Sequence, residues 1–251
     1  MDTLAFGLNA VEAMYDLCFL DQGSQLQART WALQRYNLVI GMTADETRYA
    51  VWGLFSTVDA GANAGYWQLS AMLHWQGRAG RIGQITITEQ TLIADIVGDL
   101  CSVTPSLSAN ITVDDQEPIQ PGASASPSAT ATGPSSPTSL GADRLTFSLA
   151  YNGVSLRNEA VFKSILAIMA ITVQSVHVTR RFEGFTEAGG FTLASEHDVH
   201  GDPLLEYKHV YKLMKAMARW MVANRKFQET DFAISKGGVT IATGRLSKWE
   251  G

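Results

Sequence analysis

Leu4, Leu8, Val11, Tyr15 and Cys18 recur at intervals of three and four residues. That spacing brings their side chains onto one helical face and predicts an opening helix. Strand-like stretches follow at residues 30–33 and 38–42. Thr43-Ala44-Asp45-Glu46 has the form of a capping box, in which Thr43 is the N-cap and Glu46 reaches back to its amide. It predicts a second helix through about Val58, with Val51, Leu54, Phe55 and Val58 on one face. Residues 67–75 alternate, and a glycine-rich turn leads into residues 82–88, the pattern of a β-hairpin.

A similar order returns late in the chain. Leu145–Tyr151 reads as a strand ending in the turn pair Asn152-Gly153, and a helix is expected over residues 158–174. Residues 176–182 and 190–195 are strand-like. Asp202 and Pro203 have the form of an N-cap and first helical residue, predicting a helix to about Asn224. Residues 227–235 and 239–246 then close as a hairpin across Lys236-Gly237-Gly238. The order α-β-β-α-β-β thus occurs twice, and Val51–Phe55 and Trp67-Gln68 parallel Val210–Met214 and Phe227-Gln228. The expected fold is α+β: two similar halves in a pseudo-twofold tandem repeat, each an antiparallel sheet packed on two helices. The second copy opens with a strand that the first lacks. Either the first copy has lost it, or Ser108–Val113 supplies it in a swapped order.

Between the halves the pattern stops. Residues 118–142 hold five of the seven prolines and no charged or aromatic residue. Such a segment cannot bury enough surface to offset the entropy of ordering its backbone, so residues 114–143 are expected to be a disordered linker. The expected units are residues 1–113 and 144–251. Charge divides across them: residues 1–143 carry 5 basic and 14 acidic groups, and residues 144–251 carry 14 and 10. Opposite net charges favour docking of one half on the other.

The whole chain has 251 residues, is 46% hydrophobic and carries a net charge of −5. That is enough apolar material for a core, and a balance unsuited to a dedicated nucleic-acid binder. The longest apolar stretch, Ser164–Val176, is too short to span a membrane. Met1-Asp2-Thr3-Leu4 lacks the basic and apolar regions of a signal peptide, which predicts the cytosol if Met1 is the true start. Asn110-Ile111-Thr112 is a glycosylation sequon and fits secretion if a leader precedes it. Cys18 and Cys101 allow one disulfide at most, but both sit in apolar, helix-like surroundings, which favours two buried thiols; without a CxxC pair, a cysteine zinc site is excluded.

Tyr49–Phe55, Trp67–Gly83 and Tyr207–Gly244 combine a helix, an aromatic-rich strand, a glycine turn and a glycine-containing strand. In this pattern the chain resembles a group of functionally uncharacterised proteins of filamentous ascomycete fungi. The resemblance implies secretion for many members and assigns no activity.

Three constellations bear on chemistry. Glu196-His197-Asp198-Val199-His200-Gly201-Asp202 packs imidazoles and carboxylates closely enough to hold a divalent ion, with His197, His200 and Asp198 as ligands; the plainer reading is a polar loop. Lys208, Lys212, Lys215 and Arg219 form one helical stripe, which is either a solvated face, a contact with the acidic half or a partner site. Trp52, Trp67, Trp75, Tyr211 and Trp220 fall on the second helix and hairpin of each copy and are candidates to line an aromatic ligand cleft, although core packing accounts for most such residues. Gly77–Gly83 holds glycines and two arginines but joins two strands, where glycine supplies turn geometry rather than a phosphate cradle. Catalytic residues are not identifiable, and no nucleotide, hydrolase or kinase motif is present.

These features favour a non-catalytic binding or accessory protein, with no cofactor and a small molecule or protein as partner. Its site would lie on a sheet surface or in the cleft between halves. The alternatives are a small-molecule enzyme with an aromatic pocket, such as an accessory step of secondary metabolism, and a metal-dependent hydrolase.

Overall fold

Among the described residues four helices and ten strands form from this pattern, as two antiparallel sheets with helices between them. The computed structural model describes residues 3–33, 38–64, 70–73, 82–89, 108–114, 144–173, 180–182, 185–188, 190–202 and 204–248. In chain order the elements are α1 (Thr3–Cys18), β1 (Leu26–Leu33), β2 (Leu38–Ala44), α2 (Thr47–Ala64), β3 (Ser70–Leu73), β4 (Gly83–Glu89) and β5 (Ser108–Asp114). Then come β6 (Arg144–Ser155), α3 (Asn158–Val173), β7 (Phe185–Ala188), β8 (Phe191–Ser195), α4 (Tyr207–Asn224), β9 (Gln228–Lys236) and β10 (Val239–Leu246). The smaller sheet has the order β1-β2-β4-β3 and the larger β5-β6-β9-β10-β8-β7. Matched by position around the helices, β1-β2-β4-β3 and β7-β8-β10-β9 are the same strand order.

The helices fill the space between the sheets. α1 and α2 lie on the smaller sheet, α3 lies on β7 and β8, and α1 meets both α3 and α4. The result is four layers, sheet–helices–helices–sheet, around one continuous core. α1 is therefore buried on two sides: Leu8, Val11 and Cys18 were expected inside, and Phe6, Ala10, Met14 and Leu17 join them. α3, which holds most of the longest apolar stretch, buries Phe162, Ile165, Leu166, Ile168 and Met169 in the middle. Gly7 marks the crossing of α1 and α3, since a Cβ there would collide with the Phe162 ring. Basic residues of the second half meet acids of the first across this layer: Lys215 and Arg219 on α4 both pair with Glu12 on α1, and Lys163 on α3 pairs with Asp59 on α2. Among the described residues no helix is long and apolar enough to cross a membrane.

The strands alternate as a half-buried sheet requires. β2 points Leu38, Ile40, Met42 and Ala44 inward, and β6 does the same with Leu145, Phe147, Leu149 and Tyr151. In β10 both Ile241 and Ala242 are buried, because the pairing with β9 shifts between Thr240 and Ala242 and the extra residue breaks the two-residue period.

Several boundaries differ from those expected. α2 begins at Thr47, not after Thr43, because Thr43 and Ala44 stay paired in β2 and the Asp45 amide donates to the Ile82 carbonyl. α4 begins at Tyr207 with Glu206 as its N-cap, and the Glu206 amide donates to His209 Nδ1 at 3.2 Å. The expected cap, Asp202, lies four residues before Glu206. Leu204 and Leu205 are held outside the helix, because the Leu204 amide bonds to Glu196 and the Leu205 carbonyl accepts from Phe182. The strand expected over residues 176–182 reduces, where it is described, to one bridge between Arg181 and Glu206, and the pairing strand is β7. Asn152-Gly153 does not end its strand. β6 runs on to Ser155, its pairing with β9 shifting between Tyr151 and Ser155 and Gly153 taking φ 88°. Ser108–Asp114 is a strand, but it pairs with β6 in the larger sheet and not beside β3. Cys101 and the expected linker from residue 115 onward lie outside the described residues.

Candidate functional site

Of the five aromatic candidates, Trp67 and Trp75 lie outside the described residues. The other three are held by different neighbours. Trp52 on α2 stands edge-on to Phe55 at 6.0 Å, and Tyr211 is fully buried on α4, edge-on to Phe19 at 5.8 Å. Burial pushes the Tyr211 phenol well above its ordinary pKa. Trp220 stacks on Tyr151 at 5.2 Å, and the Lys226 ammonium sits over the other ring of that pair, 4.2 Å from the Tyr151 centroid. These are packing contacts against the core, where ring pairs add to the stability gained by burial.

The loop from Glu196 to Asp202 turns its central carboxylate on its own backbone. Asp198 Oδ1 accepts the His200 amide at 2.8 Å and the Asp202 amide at 3.0 Å. These two bonds hold the Asp198 carboxyl below the usual carboxylate range. Asp202 faces Arg181 at 3.6 Å, and His197 and His200 are exposed. Among the described residues no group of three or more His, Cys, Asp or Glu side chains is placed to hold a metal ion.

The basic stripe turns toward the first half. Lys215 and Arg219 share Glu12, the Lys215 ammonium also lies 4.0 Å from the Tyr15 ring centroid, Lys212 is buried, and Lys208 pairs with Glu206 at 3.0 Å. Cys18 is a buried free thiol whose pKa burial raises, so little of it is thiolate at neutral pH. Residues 77–81 lie outside the described residues, and Gly83 begins β4.

A concavity opens where the sequence pattern offers no candidate site. β1 pairs with β2 through Leu26↔Ala44 and then Arg29↔Met42, so two residues of β1, Gln27 and Ala28, stand opposite the single residue Thr43. That is a β-bulge on an edge strand. Beside it lies an open hollow of about 410 Å³ lined by Gln25, Leu26, Gln27, Ala28, Thr43, Ala44, Asp45 and Gly83. Its volume falls within the roughly 300–1,000 Å³ of small-molecule sites. The side chains of Gln25, Gln27, Thr43 and Asp45 have no hydrogen-bond or ion-pair partner among the described residues. Comparison with family models, curated proteins and solved structures returns no match for this chain.

The bulge had a signal in the sequence. Leu26 and Trp31 both point inward, Leu26 opposite Ala44 and Trp31 opposite Ile40. They are an odd number of positions apart, which a strand of period two accommodates only with an inserted residue. Trp31 is fixed inward by its Nε1–H, which donates to Asp16 on α1 at 2.9 Å. Asn9 on the same helix donates to the Leu38 carbonyl at 2.9 Å and the Trp31 carbonyl at 3.3 Å. Helix α1 thus clamps the far end of β1 in register, and the mismatch collects at the Gln27–Ala28 end.

Proposed function

We propose that this chain is a binding protein built from two units of one topology, and that it recognises its ligand on the smaller sheet, at the β1 bulge. The observation that carries this reading is the hollow itself: four polar side chains line it without hydrogen-bond or ion-pair partners among the described residues. Gln25, Gln27 and Asp45 are exposed and Thr43 is half-buried, so all four are open to a ligand. The cleft between the halves is the weaker location, because fully buried side chains of α1, α3 and α4 meet there. The shared strand order of the two sheets supports two units of one topology.

The test is a native mass spectrum of the protein purified from its own source without chelator, repeated on Thr43→Arg. An organic mass retained by the parent protein and absent from the variant is the expected result. The same mass retained by both proteins overturns the location. A stoichiometric metal lost in His197→Ala/His200→Ala transfers the site to the loop after β8.

A further inference from the structure

The lining of the bulge hollow narrows the class of ligand, and this inference rests on the binding reading above. Among the described residues its polar groups are two carboxamides, one hydroxyl and one carboxylate, from Gln25, Gln27, Thr43 and Asp45. Amides and hydroxyls both donate and accept, so a matching ligand presents groups that do the same in several directions. A carboxylate accepts only, and disfavours an anion. A single carboxylate is too few for an all-protein divalent-cation site. The apolar lining is limited to Leu26, Ala28 and Ala44, with no aromatic plate among the described residues, so a flat hydrophobic ligand has little to rest on. The bulge also interrupts the β1–β2 ladder beside Gln27 and Ala28, adding main-chain polar groups to the rim.

We infer that the hollow at the β1 bulge binds a small uncharged polyhydroxylated molecule, a sugar or a short polyol. Asp45 and Thr43 stand at the β2 end of the hollow and Gln25 and Gln27 at the β1 end, so ligand hydroxyls bridge the two strands where the ladder does not. The site is shallow and open to water, and every ligand hydroxyl exchanges a bond to water for a bond to protein. Millimolar affinity is the expected range.

The experiment is an amide-resolved NMR titration of the full chain with methyl α-D-glucoside and with glycerol, and in separate samples with spermidine and with inorganic phosphate. Saturable shifts confined to residues 25–28, 43–45 and 83 on adding the glucoside or glycerol are the expected result. Thr43→Val and Gln27→Ala, each with an otherwise unchanged spectrum, weaken that binding by about tenfold, whereas Asp45→Asn changes it only a few-fold. Saturation of these amides by spermidine or phosphate and by neither polyol overturns the ligand class and leaves the binding reading intact. Saturation by the glucoside elsewhere, or no saturation by any probe, overturns the inference. In that case a mass retained by the native parent and lost in Thr43→Arg still upholds the location, and its absence removes both.

Discussion

β1 and β7 hold the same place in their sheets, each an edge strand beside the strand that follows it in the chain. β7 has four residues in unbroken register with β8. β1 has eight, carries the bulge and borders the hollow. The other ends differ too. Beyond β9 the larger sheet continues into β6 and β5, whereas among the described residues β3 has no such neighbour. An extended sheet buries more backbone polar groups in ladders and leaves fewer for a ligand. The larger sheet therefore has the features of a buttress, and the smaller sheet keeps its irregular edge. Both depend on the helix layer that joins them.

The strongest way to break that dependence is at the crossing of α1 and α3. Gly7→Ala adds a methyl group where the Phe162 ring already lies, and Phe162 is buried. The helix gains about 1 kcal/mol from losing a glycine, but overpacking a filled core costs about 1–3 kcal/mol. The expected net change is a loss, read as a lower denaturant midpoint. Phe162→Leu supplies the missing room, so Gly7→Ala in that background is less damaging than in the parent. Equal losses in both backgrounds would show that the two residues do not meet, and that the halves dock by another route.

The pattern in the sequence revealed the helices better than their ends. Helical spacing located α1 and α3 because apolar side chains repeat there whatever they pack against. It could not show that α1 is covered on two sides, which depends on the second half lying against it. Thr43 and Asp202 have good N-cap chemistry, but Thr43 stays paired with β4 and Asp202 is tied to Asp198 within its own loop, and in each case these bonds outweigh a local cap worth about 1 kcal/mol. β7 was placed too early, and Ser108–Asp114 joins the larger sheet through partners remote in sequence. The aromatic residues first singled out are mostly packing residues where they are described. The polar residues at the hollow do not stand out as ligand contacts, because Thr43 and Asp45 read as part of a helix cap and Gln is ordinary on a surface, and only the odd spacing of Leu26 and Trp31 marks the place.

Acid sharpens the comparison on the buttressed side. Glu229 on β9 accepts the Lys248 amide at 2.9 Å, the Asn152 side-chain amide at 2.7 Å and Arg245 at 3.3 Å. The first two of these, with the guanidinium beside them, hold its carboxyl below the ordinary value of 4.5. Lowering the folded-state pKa means that the unfolded chain takes up the proton first. The stabilisation is thus complete above about pH 4.5 and is lost as pH falls through the folded-state value. Glu229→Gln should lower the Tm near neutral pH and reduce the difference from the parent below pH 4. A constant difference across that range would show that the carboxylate acts only through shape.

The smallest change in stability is expected where the two edges are made alike. Deleting Ala28 leaves Gln27 opposite Thr43 and Leu26 opposite Ala44, and restores the alternation inward at Leu26, Arg29 and Trp31. Nothing buried is removed, the inserted residue disappears and the ladder closes, so stability should move by less than about 1 kcal/mol. β1 then becomes a regular edge like β7, and the hollow loses its irregular wall. If the deletion variant keeps the parent's Tm but loses the glucoside-dependent shifts, the bulge serves recognition rather than folding. If it unfolds instead, the inserted residue is part of how α1 grips the smaller sheet, and the difference between the two edges is structural.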